Sequence, residues 1–463
     1  MREAAPKSRI SGGDQGAQAS TISDNHPRKT VCFFANIGTG HLNPMLVLAE
    51  RLAALGWTVL FYAPANARQR VSDTGAIWRH YGCEEWNLFA AAREATVNLL
   101  SLPADILLDM SIVSAGLPAA LVMLPHLLNE IQTHRPLFTV HDAAAPWGAL
   151  AGRIAGLPTV CSMSAFPMVM DEVAESYPSG PIQKAAAQYL LEHYGIHYDP
   201  LSSYINYSGF NLVFTARFWA ESHFKCGASY HFCGPVPFQH SPEDPDHPSI
   251  GIARAARDAG KKVVYASFGT VVNGTLRTYY EKVIDRIFAE IIAALGERDD
   301  VRLILSAGRK PAAGSDPKMI VNMDCASWFE YVPQPLLLRH TDVFLTHAGM
   351  NSTNEGAWHG VPVICCPFFG DGVLNARRFA ELKAGVTVDY RIASPMQCAA
   401  GSPPMAIGHR PSPSMRSALN AVLDHLPAYR RVAAALGDRF RQQMELEKNI
   451  RAMLEWVKSR PRA

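Results

Sequence analysis

At 463 residues the chain is too long for one ordinary hydrophobic core, so we expect two domains. Charged residues make up 18% and the formal net charge is only +2, which argues against a basic nucleic-acid arm or an acidic tail. Nine cysteines without a Cys-x-x-Cys pair fit reduced thiols better than a disulfide framework or a cysteine-ligated metal. These features predict a soluble, cytoplasmic enzyme with no nucleic-acid partner.

The first half of the chain has the pattern of alternating strands and helices. Residues 1–28 lack a continuous apolar segment, which favours a disordered tail over a secretory signal. An apolar, β-branched run at 30–36 leads through a polar loop to helical spacing at 44–55. Further predicted strands lie at 57–62, 137–140 and 158–161. This succession predicts a parallel β-α-β domain at 29–237.

One long apolar stretch, 106–128, raises the question of a membrane span. Asp109, Gly116, Pro118 and Pro125 interrupt it, so buried helices are favoured and no transmembrane segment is expected.

A segment rich in Pro, Asp and His, 238–258, predicts an interdomain linker. Asp244 and Asp246 have the spacing of a metal-binding carboxylate pair. No predicted strand lies beside them, so we interpret them as part of a solvated loop and expect no metal site.

The second half repeats the strand-helix pattern. Predicted strands at 262–267, 301–306 and 361–366, with helical spacing at 279–295, indicate another doubly wound domain at 259–430. The proline-containing segment 392–414 predicts a flexible insertion, and 431–463 predicts C-terminal helices.

Ten residues, 346–355, combine an imidazole, a glycine, small polar side chains and a carboxylate at a predicted strand-to-helix turn. Helix N-termini bind anions, and Gly349 allows a ligand to approach the backbone. Glu355 fits a pair of sugar hydroxyls, because an ionised carboxylate only accepts hydrogen bonds. The turn therefore predicts a phosphorylated ligand. Its side-chain donors are His347, Asn351 and Ser352.

The run YVPQPLLLRHTDVFLTHAGMNSTNEGAWHGVPVICCPFFGDGVLNA at 331–376 resembles the signature block of the UDP-glycosyltransferase superfamily, in the style of the bacterial macrolide-type members. The resemblance extends over about 31–389. It implies an α/β chain of GT-B fold, in which two Rossmann-like doubly wound domains face each other. The first domain would bind the acceptor, the second the nucleotide sugar, and the last helices would pack back towards the first domain.

The resemblance also implies roles for donor-binding residues. Tyr331 stands where a tryptophan is common, and either ring can stack on a nucleobase, although a core tyrosine is the alternative. Gln334 and Glu355 match positions near the ribose. The matches to diphosphate contacts are Thr270, His347, Asn351 and Ser352.

The candidate catalytic pair is His41 and Asp142. Pattern alone would make His41, in the loop after the first strand, a structural or surface residue, but the resemblance implies a general base there, paired with Asp142. A carboxylate fixes the imidazole tautomer and stabilises the imidazolium. Asp142 could instead cap a helix, and His141 is a competing base whose side chain would point to the other side of its strand.

Asp371-Gly372 departs from the Asp-Gln that is common in the superfamily. Asp371 keeps the carboxylate for the sugar hydroxyls, whereas Gly372 removes an amide, so position 372 is a candidate determinant of donor specificity. The donor stays open between a UDP-sugar, which is favoured, and a TDP- or GDP-deoxysugar.

The resemblance thus implies an inverting, metal-independent transferase that uses no cofactor. It would move a hexose to a hydroxyl of an apolar small molecule such as a natural product, with apolar helices at 106–128 lining the acceptor pocket. A catalytically silent partner protein is an alternative, which the presence of both His41 and Asp142 disfavours. An NAD-dependent dehydrogenase is less favoured, because the loop at 37–43 lacks the third glycine of a dinucleotide fingerprint.

Overall fold

The computed structural model describes residues 29–36, 38–82, 87–102, 112–167, 180–198, 208–222, 226–236, 244–273, 277–308, 326–368, 370–390 and 412–460. The predicted tail at 1–28, the first part of the predicted linker and residues 392–411 of the predicted insertion lie outside the described residues.

The first half forms a seven-stranded parallel sheet in the order β3-β2-β1-β4-β5-β6-β7. Its central strands are buried on both faces, which explains their continuous apolar sequences. The strands are β1 Thr30–Phe34, β2 Thr58–Tyr62, β3 Ile77–Arg79, β4 Phe138–Asp142, β5 Thr159–Met163, β6 Phe210–Val213 and β7 Tyr230–Phe232. The strand order reverses its direction between β1 and β4, and all the strand pairs are parallel. This confirms the predicted doubly wound, parallel architecture.

Helices cover both faces of this sheet. They are Thr39–Ala54, Arg68–Asp73, Leu88–Glu94, Ile112–His134, Pro146–Ile154, Pro181–Tyr194 and Arg217–Ala220. Helix Ile112–His134 contains Pro118 and Pro125 and buries an apolar side in the core. Residues 112–128 of the stretch 106–128 are therefore part of a core helix, and 106–111 lie outside the described residues. No helix within the described ranges is long and apolar enough to cross a membrane.

The second half forms a six-stranded parallel sheet in the order β10-β9-β8-β11-β12-β13. The strands are β8 Lys262–Ser267, β9 Val301–Ser306, β10 Ala326–Phe329, β11 Val343–Thr346, β12 Val363–Cys365 and β13 Gly385–Thr387. Its helices are Pro248–Asp258, Gly269–Val271, Arg277–Leu295, Gln334–Leu338, Met350–Trp358, Asp371–Glu381, Met415–Asp424, Leu426–Arg441 and Leu446–Lys458.

The predicted linker 238–258 is too long. Pro248–Asp258 is a helix whose Ile250 and Ala253 are buried in a core shared with β8 and β9. A proline is well tolerated in the first turn of a helix, and the His247 ring nitrogen accepts from the Ser249 N–H at the helix start. The residues that indicated a loop therefore begin a helix. Asp244–Asp246 lies on an exposed turn, as expected.

The predicted boundary at 430 also needs correction, because it falls inside helix Leu426–Arg441, which packs against helix Met350–Trp358 of the second half. In helix Leu426–Arg441, Phe440 packs against Phe218 and Trp219 of the first half. The last helix, Leu446–Lys458, packs against β6 and β7 of the first sheet. Its Ile450 and Met453 are buried in the core of the first half. The position of this helix at the end of the sequence does not indicate that contact.

The two halves are joined through buried polar contacts beside the sheet edge. The Thr215 hydroxyl donates to Asn354 Oδ1 at 2.8 Å, and Asn354 Nδ2 donates to the Phe214 carbonyl at 2.7 Å. Asn354 lies on helix Met350–Trp358, which carries the predicted phosphate-binding turn. That helix is therefore held in a defined position relative to the first sheet.

Candidate active site

The candidate base lies where β1 ends. His41 is in the first turn of helix Thr39–Ala54, and Asp142 is the last residue of the neighbouring strand β4. Because parallel strands end at the same edge of a sheet, the two side chains meet. His41 Nδ1 is 2.9 Å and 3.0 Å from the two Asp142 oxygens. The Asp142 side chain is fully buried, whereas that of His41 is 32% exposed.

The environment of His41 favours its protonated form. Burial by itself lowers the pKa of His41, but the charge and hydrogen bond of Asp142, with a smaller contribution from Asp371, raise the pKa above its ordinary value. An ionised carboxylate only accepts hydrogen bonds, so the proton of neutral His41 lies on Nδ1. Nε2 then carries the free lone pair, and no residue of the described ranges hydrogen-bonds it.

The structure argues against the two alternatives, His141 as the base and Asp142 as a helix cap. His141 points into the protein, where its Nε2 lies 2.7 Å from the Ser208 hydroxyl, and burial lowers the pKa of His141 to about 4. Asp142 accepts from the Ala144 N–H at 2.8 Å, but Ala145 is the N-cap of the following helix. Asp142 is therefore not a helix cap, and His141 does not face His41.

The predicted phosphate-binding turn follows β11. Helix Met350–Trp358 begins directly after Gly349, and the left-handed residue of the turn is Ala348, with φ of 61°. Gly349 itself has φ of −59°, so backbone freedom does not explain it. A Cβ at this position would lie 2.4 Å from His347 Nε2. Gly349 is required because the imidazole packs against the backbone.

His347 is half-buried, and its surroundings favour the neutral imidazole. A Cβ on Gly269 would lie 2.6 Å from its ring, so two glycines cradle the imidazole. Burial lowers the pKa of His347 to about 4. Its Nδ1 is buried and has no hydrogen-bond partner among the described residues. A neutral imidazole with an unsatisfied nitrogen fits a site that a polar ligand completes.

Asn351 links the turn to the first half of the chain. Its Nδ2 donates to the carbonyl of Gly40, the residue before His41, while its Oδ1 is buried without a partner in the described part of the chain. The amide nitrogen of Asn351 is therefore already hydrogen-bonded to the first half of the chain. The predicted contact of Asn351 with a diphosphate stays a prediction.

The predicted ribose-binding residues form one hydrogen-bonded chain. The Tyr265 hydroxyl donates to Gln334 Oε1 at 3.0 Å, and Gln334 Nε2 donates to Glu355 Oε2 at 2.7 Å. Gln334 Nε2 also lies 3.4 Å from the Ser352 hydroxyl. Burial raises the pKa of Glu355 to about 7, although the bond from Gln334 opposes the rise. The structure brings these predicted residues together.

Tyr331 and Thr270 both lie on the surface. Tyr331 is 47% exposed, which removes the core-tyrosine alternative, and its stacking on a nucleobase stays a prediction. Thr270 is exposed on the single helical turn Gly269–Val271, next to the glycine that contacts His347.

Asp371 and Gly372 begin helix Asp371–Glu381 beside the turn. The Met350 N–H donates to Asp371 Oδ2 at 2.9 Å, so this carboxylate occupies one of the N–H groups expected for phosphate. Burial raises the pKa of Asp371. Position 372 has no free space, because a Cβ there would lie 2.6 Å from the His347 carbonyl oxygen. A side chain at 372 would therefore require the neighbouring backbone to shift, and the role of this position in donor specificity stays a prediction.

Comparisons with known proteins agree with this geometry. A family model described as UDP-glucoronosyl and UDP-glucosyl transferase matches residues 246–400. The uncharacterized UDP-glucosyltransferase YdhE of Bacillus subtilis (strain 168) is 26% identical over 78% of this chain and 86% of its own length. Demethyllactenocin mycarosyltransferase of Streptomyces fradiae is 26% identical over 77% of this chain and 74% of its own length.

These matches confirm the resemblance to the UDP-glycosyltransferase superfamily.

Solved glycosyltransferases share the fold. Spinosyn forosaminyltransferase SpnP has a TM-score of 0.66 at 17% identity, over 94% of this chain and 100% of that chain. Spinosyn rhamnosyltransferase SpnG complexed with thymidine diphosphate has a TM-score of 0.60 at 18% identity, over 92% of this chain and 99% of that chain. The chain has the GT-B fold, as predicted.

Some residues that support the candidate site were not predicted from the sequence. Asn375 Nδ2 donates to the carbonyl of left-handed Ala348 at 2.8 Å, and its Oδ1 accepts from Trp219 Nε1 at 2.7 Å. Asn375 lies inside the run 331–376, but no role in ligand binding was predicted for it. Tyr265 and Ser164, which contacts His41, carried no pattern that singled them out.

Proposed function

We propose that this protein is an inverting glycosyltransferase. It transfers a hexose from a nucleotide diphosphate sugar to a hydroxyl of an apolar small molecule, without a metal ion. A UDP-sugar is the favoured donor, and a TDP- or GDP-deoxysugar is the alternative.

The observation that carries the proposal is the His41–Asp142 pair at the interdomain cleft. Asp142 holds Nδ1 at 2.9 Å, which directs Nε2 away from the carboxylate. Nε2 takes the proton of the acceptor hydroxyl while its oxygen attacks the anomeric carbon and the bond to the diphosphate oxygen breaks. A single displacement of this kind inverts the anomeric configuration.

The second half supports the leaving group. Gly40, next to His41, accepts a hydrogen bond from Asn351, which places the base opposite the start of helix Met350–Trp358. The N–H groups of that helix and the neutral His347 imidazole donate to the negative charge that develops on the diphosphate. Asp371, which influences the pKa of His41, is the acceptor for the sugar hydroxyls.

Related proteins support an apolar acceptor, whereas the apolar side chains of helix Ile112–His134 are buried in the core and give no evidence for one. The related mycarosyltransferase and the spinosyn transferases act, by their names, on demethyllactenocin and spinosyn. We extend that substrate class to this chain as part of the proposal.

The test is turnover of purified protein with a panel of UDP-, TDP- and GDP-sugars and apolar hydroxyl compounds. We expect nucleotide diphosphate release that depends on the acceptor, and a β-glycoside from an α-linked donor by NMR of the product. A product that retains the donor configuration would overturn the single-displacement mechanism. Absence of turnover across the panel, with nucleotide bound, would favour the silent-partner alternative.

A further inference from the structure

A third group contacts the nitrogen that Asp142 holds. Ser164 follows the end of β5, the strand next to β4, and its Oγ lies 3.0 Å from His41 Nδ1. Ser164 is 6% exposed, so its hydroxyl is shielded from water. The imidazole is therefore contacted from two strands of the first sheet, by a carboxylate from one and a hydroxyl from the other.

The proton count at Nδ1 defines what this hydroxyl can do. Nδ1 carries one proton, and the two Asp142 oxygens and Ser164 Oγ all lie 2.9 to 3.0 Å away. Carboxylate oxygens accept only, so Ser164 Oγ is an additional acceptor that shares the N–H. The hydrogen bond from Nδ1 to Ser164 Oγ becomes stronger when the ring is charged, because hydrogen bonds that involve ionised groups are stronger than those between neutral groups.

We propose that Ser164 is a positioning residue for the base: its hydroxyl fixes the His41 ring and stabilises the imidazolium that forms when Nε2 accepts the acceptor's proton. This inference rests on the proposed function, in which His41 is the base. Ser164 contacts neither donor nor acceptor in this role, and it acts only through the imidazole.

The groups that face His41 give the expected pH dependence. Asp142 on β4 and Asp371 on helix Asp371–Glu381 both raise the pKa of His41, and Ser164 adds an uncharged acceptor. Replacing Ser164 by alanine removes one acceptor and leaves both carboxylates. The pKa of His41 should therefore fall, and the ring should be held less firmly.

The first experiment compares Ser164→Ala with Ser162→Ala. Ser162 is a matched control, because its hydroxyl is equally buried, lies two residues away on β5 and has no hydrogen-bond partner among the described residues. For Ser164→Ala we expect kcat to fall about three- to tenfold and the acidic limb of kcat/KM to move about half to one pH unit lower. Ser162→Ala should leave both unchanged. A loss of equal size at every pH in Ser164→Ala would mean a merely structural role.

The second experiment needs no turnover. Histidine imidazole carbons are labelled and titrated by NMR, and the His41 signal is identified by its absence in His41→Ala. The His41 pKa should be about half to one unit lower in Ser164→Ala than in the unmodified protein. An unchanged pKa overturns this inference and leaves the proposed function intact. Full turnover by His41→Ala would instead overturn the proposed function, whatever the titration shows.

Discussion

The two histidines at the candidate site have opposite environments. His41, on the first half, contacts a buried carboxylate, which raises its pKa, whereas His347, on the second half, contacts glycine backbone, and burial lowers its pKa to about 4. Two like groups with pKa values pushed apart are typical of an acid–base division of labour. In the proposed mechanism, this difference gives His41 the role of exchanging a proton and His347 the role of a neutral hydrogen-bond donor.

The two environments also differ in how they are built. His41 is tuned by charge, through side chains at the ends of adjacent parallel strands. His347 is tuned by close packing, because Gly269 and Gly349 leave no room for a Cβ beside its ring. Charge changes should therefore alter the first histidine, and volume changes the second.

The largest effect should come from removing the base. His41→Ala should lower kcat by on the order of 10²–10⁴ and leave nucleotide affinity within about twofold, because the imidazole acts on the acceptor proton. His347→Ala should instead weaken the binding of the nucleotide diphosphate more than His41→Ala does. Steady-state kinetics and calorimetric titration with UDP and TDP measure both. Near-normal turnover in His41→Ala would remove it from the mechanism.

A smaller loss should follow from changing the partner of the base. Asp142→Asn should reduce kcat by on the order of 10- to 1,000-fold, since the amide can present the wrong group to Nδ1. The base acts when neutral, so kcat/KM rises with pH through the pKa of His41. Loss of the carboxylate lowers that pKa, and the acidic limb should move to lower pH. An unchanged pH profile of kcat/KM would make Asp142 purely structural.

Volume changes test the second environment. Gly372→Ala places a Cβ 2.6 Å from the His347 carbonyl, and we expect the free energy of unfolding to fall by about 1–3 kcal/mol. Gly251→Ala is the control, because Gly251 lies on the exposed side of helix Pro248–Asp258 and no atom lies within 4 Å of its added Cβ. In Gly251→Ala the free energy of unfolding should rise by about 0.5–1 kcal/mol. Denaturant titration of both variants gives the comparison.

If Gly372→Ala proves as stable as the unmodified protein, the backbone at 372 adjusts. In that case Gly372→Gln becomes a clean test of whether this position selects the donor sugar, read from kcat/KM across a panel of nucleotide sugars.

The smallest effect should come from chelation. EDTA should change the rate by less than about twofold, because a helix N-terminus and a neutral imidazole stabilise the diphosphate charge in place of a cation. The measurement is turnover before and after dialysis against EDTA. Complete loss that magnesium or manganese restores would contradict a metal-independent mechanism.

Much of the architecture follows from local sequence. Strands β8 and β9 lie at the predicted 262–267 and 301–306, because short β-branched runs between turn residues have few other folded states. The turn at 346–355 was a candidate because of its residue types, whereas His41 and Asp142 were candidates because of the resemblance to a known family. The helix at Pro248–Asp258 was missed because its proline is compatible with both a loop and a helix start.

Contacts between distant residues were decided by the tertiary structure alone. His41 and Asp142 are 101 residues apart, and Ser164 joins them only because β5 lies beside β4. The neutrality of His347 and the lack of space at Gly372 depend on backbone packed against them. Residue type and spacing determine which strands and turns form, but pKa and free volume depend on what folding brings within a few ångströms.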